Sequence, residues 1–256
     1  MNLTELIPQM DALFAPWDNT HSPGCALAVI HEGEIVYQRG YGMACLEFGV
    51  PITPQTVFQI GSISKQFTAM AIALLVHEGK IALDDDIRKY VHEVPDFGET
   101  ITIRHLVHHT SGLRGIDELV ALAGNRMDDV TLVQDYLDCI SRQRSLNFKP
   151  GEKHLYCNTG YTLMAVIVER VSGLKMREFC EQRLFKPLGM HNTIFHDDYT
   201  TVVPGFAQSY KPAGAGQYQK ECLMHALPGS TSLLTTVEDL LFWDREFYRA
   251  EVVGEA

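Results

Sequence analysis

One stretch constrains the fold of this chain more than any other: a glycine and a serine that lead into a long apolar run. Between Phe67 and Val76 only Thr68 is polar, so a helix here is apolar on nearly every side and is predicted to be buried. Ser62 and Lys65 precede this run, and residues three apart on a helix share a face. A core helix is therefore expected to present a hydroxyl and an amine to one cavity.

The position of Lys65 gives this pair its chemistry. Desolvation lowers the pKa of a buried lysine, and the positive end of the helix dipole acts in the same direction. A neutral amine can take the proton of a neighbouring serine and so make it a nucleophile. The alternative is that Ser62 is an ordinary helix N-cap. From this stretch alone, both interpretations stand.

Composition narrows the class of protein. The chain has 256 residues, enough for a substantial core, and its formal net charge of −11 argues against nucleic acid or an anionic membrane as the main partner. It contains no apolar run of about 18 residues, so no membrane span is predicted. The first 17 residues lack the basic start and apolar centre of a signal peptide. A cytoplasmic location is expected, or a periplasmic or secreted one if a leader has been removed.

The cysteines form no Cys-x-x-Cys pair and no metal-finger spacing. They are Cys25, Cys45, Cys139, Cys157, Cys180 and Cys222. Several lie in apolar segments, so buried free thiols and a reducing compartment are expected.

The remaining pattern predicts a mixed chain of helices and strands. Helices are predicted over 3–14, around 132–140, over 161–171, over 176–184 and from 236 to 247, with a hairpin from 25–30 and 35–41 and short extended pieces over 191–229. Gly79 is expected to end the buried helix in a left-handed cap. Thr236 with Asp239 resembles a capping box.

Two clusters raise the question of a metal site. Asp84, Asp85 and Asp86 lack the glycine and distal glutamate of a calcium loop, and a helix-start cluster is the better interpretation. A short helix capped by Thr102 is predicted to carry three histidines at i, i+3 and i+4. They are His105, His108 and His109. No acidic or cysteine partner follows at useful spacing, so a scaffold role is favoured over metal binding.

Tyr156 and Asn158 favour the catalytic interpretation of Ser62. Residues two apart in an extended segment point to the same side, so both side chains are predicted to face the same region. The Tyr156 phenolate, supported by Lys65, could then carry the proton of Ser62 to a leaving group. The alternative is that Tyr156 is a strand residue that only packs its ring and that Asn158 only forms a turn. A second Ser-x-x-Lys, Ser172 to Lys175, is interpreted as a turn because its glycine ends a helix.

With these motifs, the chain resembles the serine β-lactamase and penicillin-binding-protein family, in its class C β-lactamase-related branch. Similar segments are 56–67, 78–85, 101–113, 150–161, 187–190 and 233–240, within about residues 24 to 245. The resemblance implies an α+β fold, with an antiparallel sheet, flanking helices and a helical lobe. We expect one domain over 1–256, with the sheet side at about 1–60 and 200–256 and the lobe at about 61–199.

The resemblance also implies an acyl-serine mechanism without metal or organic cofactor. Ser62 would be the nucleophile, and its backbone N–H one oxyanion donor. Lys65 and Tyr156 would share the general-base work, and Asn158 would position Lys65 and a small-molecule or peptide substrate. A β-lactam, a D-amino-acid peptide and a small ester all stay open as substrates.

One family feature is missing. The third motif, Lys-Thr-Gly or His-x-Gly on a late strand, supplies the second oxyanion donor, and nothing after Asp239 can serve. We therefore expect a C-terminally shortened member with impaired catalysis and an open sheet edge available for self-association. The alternative function is a non-catalytic binding or scaffold protein that retains the pocket.

Overall fold

Helices form in each segment where apolar spacing predicted one. The computed structural model describes residues 3–126, 128–221, 225–250 and 252. Its α-helices are α1 (Leu3–Phe14), α2 (Ser64–His77), α3 (Ile103–Val107), α4 (Ile116–Leu122), α5 (Val133–Ser141), α6 (Asn158–Ser172), α7 (Met176–Cys180), α8 (Lys186–Leu188) and α9 (Asp239–Arg249). Short 3-10 turns cover Gly61–Ile63 and Ile87–Lys89, and a π-helical turn, Glu181–Phe185, joins α7 to α8.

The strands are short and fall into several small sheets. They are β1 (Cys25–His31), β2 (Glu34–Tyr41), β3 (Met43–Cys45), β4 (Val50–Pro51), β5 (Phe58–Gln59), β6 (Thr131–Leu132), β7 (Ile194–Phe195), β8 (Tyr210–Gly214), β9 (Gln217–Lys220), β10 (His225–Ala226) and β11 (Leu233–Thr235). Most pairs are antiparallel and one, β10 with β6, is parallel. The mixture is the expected α+β fold.

Helices α2 and α6 form the centre of the core. Phe67, Ile72 and Leu75 of α2 are at most 1% exposed, and α6 is buried continuously from Thr159 to Val168. Full burial of such side chains contributes about 1.5–3 kcal/mol each. The prediction of a buried helix after Ser62 is confirmed.

A three-stranded sheet joins two distant parts of the chain beside this core. β11 is central, with β5 and β7 antiparallel on either side. The Ile60 N–H donates to the Leu233 carbonyl at 3.0 Å, and the Leu233 N–H donates to Ser64 Oγ at 3.2 Å. The start of α2 is therefore fixed to the first residue of β11.

The N-terminal hairpin is held by a polar cluster. β1 and β2 pair from Cys25↔Tyr41 to His31↔Glu34. Tyr37 and Tyr41 each donate to Asp11 Oδ1 of α1 at 2.8 Å. These bonds dock α1 against the hairpin that the sequence predicted.

Some local predictions are wrong. Helix α3 ends at Val107, so His108 and His109 lie outside it and do not share a helical face with His105. Thr102 does cap α3, as predicted, by accepting from the His105 N–H at 3.3 Å. The three-histidine face is absent because the chain leaves the helix before it completes a second turn.

The capping box at α9 is only half formed. Thr236 Oγ1 accepts from the Asp239 N–H at 3.1 Å. The Asp239 carboxylate, however, accepts at 2.7 Å from both the Asn192 N–H and Thr193 Oγ1. Asp239 therefore ties α9 to a separate segment instead of capping its own helix.

The cysteines and the end of α2 follow the predictions within the described residues. The five described cysteines are free, with Cys157 and Cys180 buried; Cys222 lies outside the described residues. Gly79 ends α2 with a φ of +68°. No helix in the described ranges is both long and apolar enough to cross a membrane. The division into a sheet side and a helical lobe stays a prediction.

Candidate active site

Ser62 stands where the chain turns from a strand into a helix. β5 ends at Gln59, and the Gly61–Ile63 turn leads into α2. Gly61 has a φ of +53°, a left-handed conformation that glycine adopts readily. An added Cβ there would meet nothing within 4 Å. Gly61 therefore allows the chain to change direction ahead of Ser62, which is exposed.

Lys65 lies one turn further on and is 7% exposed. Its ammonium group donates to Ser62 Oγ at 3.1 Å, Asn158 Oδ1 at 2.8 Å and the Ser230 carbonyl at 2.7 Å. These acceptors match the three hydrogens of an ammonium group. Desolvation still lowers the pKa of Lys65, against the opposing effect of Tyr156. A nitrogen that releases its proton more easily than an ordinary lysine therefore lies beside the serine.

Tyr156 completes a triangle of polar atoms. Its hydroxyl is hydrogen-bonded to Ser62 Oγ, and Lys65 Nζ lies 4.7 Å from the centroid of its ring. Residues 153–157 form neither helix nor strand. Serine, amine and phenol are thus in mutual reach, so a proton can move among them without a rearrangement of the backbone.

Asn158 reaches this triangle from a position that the sequence did not predict. It is the first residue of α6, so the expected extended segment ends before it. Its Nδ2 donates to Asp117 Oδ2 at 2.7 Å, while Tyr136 donates to the other carboxylate oxygen. Burial, followed by the charge of Asp117, raises the pKa of Tyr136. These contacts leave Asn158 Oδ1 directed at Lys65.

The third acceptor of Lys65 comes from a tight turn ahead of β11. Gly229 has a φ of +102°, and an added Cβ would lie 2.4 Å from the Tyr161 carbonyl oxygen. Thr68 donates to the Gly229 carbonyl at 2.9 Å, and Thr162 donates to Ser230 Oγ at 3.0 Å. Hydroxyl groups of α2 and α6 therefore hold the turn that presents its carbonyl to Lys65.

A cavity of about 300 Å³ opens beside Ser62. It is lined by Gln59, Gly61, Ser62, Asp117, Val120, Ala121, Asn125, Arg126, Thr131, Asn158, Ser230 and Thr231. This volume is at the small end of the range for small-molecule sites. A larger cavity of about 470 Å³, bordered by Arg177 and Lys186, contains none of the four predicted site residues.

The structure separates this site from the other candidates in the sequence. Ser172 Oγ donates to the Val168 carbonyl at 2.6 Å, and Lys175 Nζ lies 3.7 Å from Glu169. The second Ser-x-x-Lys is therefore a helix end, as predicted. The carboxylate of Asp86 accepts from the Arg88 N–H at 2.9 Å and caps a 3-10 turn. Across the part of the chain that is described, no group of three His, Cys, Asp or Glu residues is arranged to hold a metal ion.

Sequence reasoning missed two residues that contact the triangle or Asn158. From the sequence, Asp117 could be recognised only as an acidic residue in the first turn of a helix. Ser230 acts through its backbone carbonyl, which the residue type does not encode. Its neighbourhood, Pro228 to Ser232, did carry a turn signal.

The fold is that of penicillin-binding-protein structures. The octameric penicillin-binding protein homologue from Pyrococcus abyssi superposes with a TM-score of 0.85 at 29% identity, over 99% of this chain and 58% of that one. Residues 7–252 match the Beta-lactamase family, and the chain belongs to it. The predicted family and fold are confirmed.

Curated relatives extend beyond the length of this chain. Penicillin-binding protein 4* of Bacillus subtilis is 28% identical over 96% of this chain and 57% of its own length. D-aminopeptidase of Brucella anthropi is 28% identical over 89% of this chain and 43% of its own. The chain thus spans about half the length of these relatives, whose family consists of β-lactamase-like serine hydrolases.

Proposed function

We propose that this chain is a serine hydrolase that is acylated at Ser62 by amide or ester substrates. The observation that carries the proposal is the closed contact among Ser62, Lys65 and Tyr156. A serine hydroxyl is a weak nucleophile until a base removes its proton. Here two groups able to do so touch the same oxygen, and one of them is a lysine whose pKa is lowered by burial.

The proposed reaction has two halves. In the first, Ser62 Oγ attacks the substrate carbonyl carbon and its proton passes to the Lys65 and Tyr156 pair. The pair then returns that proton to the leaving amine or alcohol as the bond to it breaks. In the second, water loses a proton to the same pair and attacks the acyl ester, which releases the acid and restores Ser62.

Asn158 is assigned to positioning and substrate binding. Its carboxamide joins Lys65 on one side and Asp117 on the other, at 2.8 and 2.7 Å. It also lines the cavity beside Ser62. A substrate amide in that cavity would meet the same carboxamide that fixes the direction of the lysine.

The substrate class follows from the relatives and stays part of the proposal. One relative is a D-aminopeptidase and another a penicillin-binding protein. A β-lactam, a D-amino-acid amide or a small ester each offers the carbonyl that Ser62 requires, and the cavity of about 300 Å³ beside Ser62 is where it would bind.

The backbone N–H of Ser62 would serve as one oxyanion donor during acylation. Covalent labelling reports this step directly, so it tests the proposal before the substrate is known.

The test is covalent capture of the serine. The purified chain is incubated separately with a fluorescent penicillin and a fluorophosphonate, and the adduct is located by mass spectrometry of peptides. We expect an adduct on Ser62 that is lost in Ser62→Ala. Ser172→Ala, in the other Ser-x-x-Lys, is the matched control and should label like the wild type.

The two probes separate the candidates. Labelling by either probe on Ser62 supports the hydrolase, and hydrolysis assays with D-amino-acid amides and simple esters then rank its substrates. A folded protein that takes neither label would refute acylation and favour the scaffold alternative.

A further inference from the structure

His109 holds the backbone on both sides of Tyr156. Its carbonyl accepts from the Leu155 N–H at 2.9 Å, and its Nδ1 accepts from the Cys157 N–H at 3.1 Å. Tyr156 lies between these two donors in a segment without regular structure. One residue therefore accepts from the backbone N–H groups on both sides of the tyrosine, once through its carbonyl and once through its ring.

The ring of His109 also packs on the ring that it positions. Its centroid lies 4.6 Å from that of Tyr156 and 5.0 Å from that of Tyr161. The Tyr161 hydroxyl in turn donates to the Val107 carbonyl at 3.0 Å. The imidazole thus fills the space between the start of α6 and the end of α3, and Tyr156 rests against it.

The backbone of His109 is unusual for a non-glycine residue. Its φ is +56°, in the left-handed region, where asparagine, aspartate and histidine are over-represented among the non-glycine residues found there. Such a conformation persists when surrounding contacts require it. Here the same residue supplies a backbone acceptor, a side-chain acceptor and a ring contact.

We propose that His109 is the positioning residue for Tyr156 and that it does so only while its imidazole is neutral. The inference rests on the proposed function, since it names a residue that positions a member of the same site. Nδ1 accepts a hydrogen bond only when it carries no proton; an imidazolium donates from both nitrogens. Protonation would therefore release the Cys157 N–H and loosen the segment that carries Tyr156.

The groups around the imidazole favour the neutral form. Lys65 faces it from α2, His154 and Tyr156 from the irregular segment, and Tyr161 from α6. Burial lowers the pKa of His109, and the charges of Lys65 and His154 lower it further. At neutral pH the acceptor is in place, and acid removes it.

Two substitutions separate the acceptor from the ring. His109→Asn keeps a side-chain acceptor, tolerates the left-handed backbone and does not titrate. His109→Phe keeps an aromatic ring and has no acceptor. His108→Asn is the matched control, because His108 is adjacent and exposed.

The first readout is the rate of Ser62 labelling by fluorophosphonate from about pH 5 to pH 8. At the alkaline end we expect His109→Asn to label within a few-fold of the wild type, and His109→Phe about 10–100-fold more slowly because Tyr156 is misplaced. Below the pKa of His109, its titration should add a fall of about tenfold per pH unit to the labelling rates of the wild type and of His108→Asn. The rate of His109→Asn should fall less steeply.

The second readout does not depend on activity. The Cys157 amide resonance in a ¹H–¹⁵N spectrum should shift as His109 titrates in the wild type and stay constant in His109→Asn. An acid limb that is unchanged in His109→Asn, or a Cys157 amide that ignores pH in the wild type, would overturn the inference. A wild-type chain that never labels refutes the proposed function instead, and the Cys157 resonance then decides the role of His109.

Discussion

The carboxylate of Asp117 holds the carboxamide of Asn158 at 2.7 Å, on the side of that amide opposite Lys65. The other oxygen of Asp117 accepts from the buried Tyr136. A carboxamide has a donor end and an acceptor end, and this arrangement fixes which end faces the lysine. Asp117 thus influences the site through the orientation of Asn158 and through its own charge.

Replacement of Asp117 by asparagine should shift the pH dependence of acylation. The negative charge of Asp117 raises the pKa of Lys65, though by less than burial lowers it. Its removal therefore lowers that pKa further, so the neutral amine persists to lower pH and the acid limb of Ser62 labelling moves down. Labelling rates across pH measure the shift. Asp138→Asn, on the surface of α5, should leave the limb in place.

Replacement of Lys65 by arginine should abolish most of the acylation. Arginine keeps the positive charge but does not release its proton in proteins, so general-base assistance worth about 10²–10⁴-fold is lost. The rate of adduct formation on Ser62 measures this loss. Lys175→Arg changes the lysine of the second Ser-x-x-Lys and should match the wild type. A Lys65→Arg protein that labels at the wild-type rate would exclude Lys65 as the base.

Replacement of Gly229 by alanine should damage both stability and the site. A left-handed backbone costs a non-glycine residue about 1–3 kcal/mol, and the new Cβ would also lie 2.4 Å from the Tyr161 carbonyl oxygen. The Ser230 carbonyl would then move away from Lys65. Denaturant unfolding and Ser62 labelling should both decline.

Gly79→Ala provides the comparison for this clash. Gly79 has a φ of +68°, and an added Cβ would meet nothing within 4 Å. It should show the backbone cost alone and label normally. Equal stability losses for the two variants would show that the contact with Tyr161 is unimportant.

Replacement of Trp243 by alanine should destabilise the whole chain. Trp243 of α9 stacks on Phe67 of α2 at 4.1 Å and donates to Gln66 Oε1 at 3.0 Å. Loss of a buried aromatic side chain costs about 3–5 kcal/mol. Phe247→Ala, on the same helix but 64% exposed, should cost far less. Urea unfolding followed by circular dichroism compares the two.

The sequence predicted the parts of the fold and site that depend on local pattern. The apolar run after Ser62 required a buried helix, and helical spacing required that Lys65 accompany the serine. Tyr156 and Asn158 were identified from their residue types, although the chain presents Asn158 from a helix start and not from a strand. Their meeting with Ser62 depends on the packing of α2 on α6, which no local pattern encodes.

The remaining site residues escaped prediction for separate physical reasons. Ser230 contributes a main-chain oxygen, which every residue possesses. Asp117 resembles any acidic residue in a first helical turn, where the helix dipole favours it. His109 was predicted to lie on a helical face. The sequence does not indicate that α3 ends at Val107, nor that the backbone of His109 is left-handed.

The bond between Lys65 and the Ser230 carbonyl joins positions 165 residues apart. Closure of so long a loop costs entropy before the contact can stabilise the chain, so we expect this bond to form late in folding. The nucleophile helix can form early from its own sequence, but its lysine acquires its full set of partners only at the end. During refolding, Ser62 reactivity should therefore appear with the last kinetic phase. The time course of labelling by a serine-reactive probe would then measure when the fold is complete.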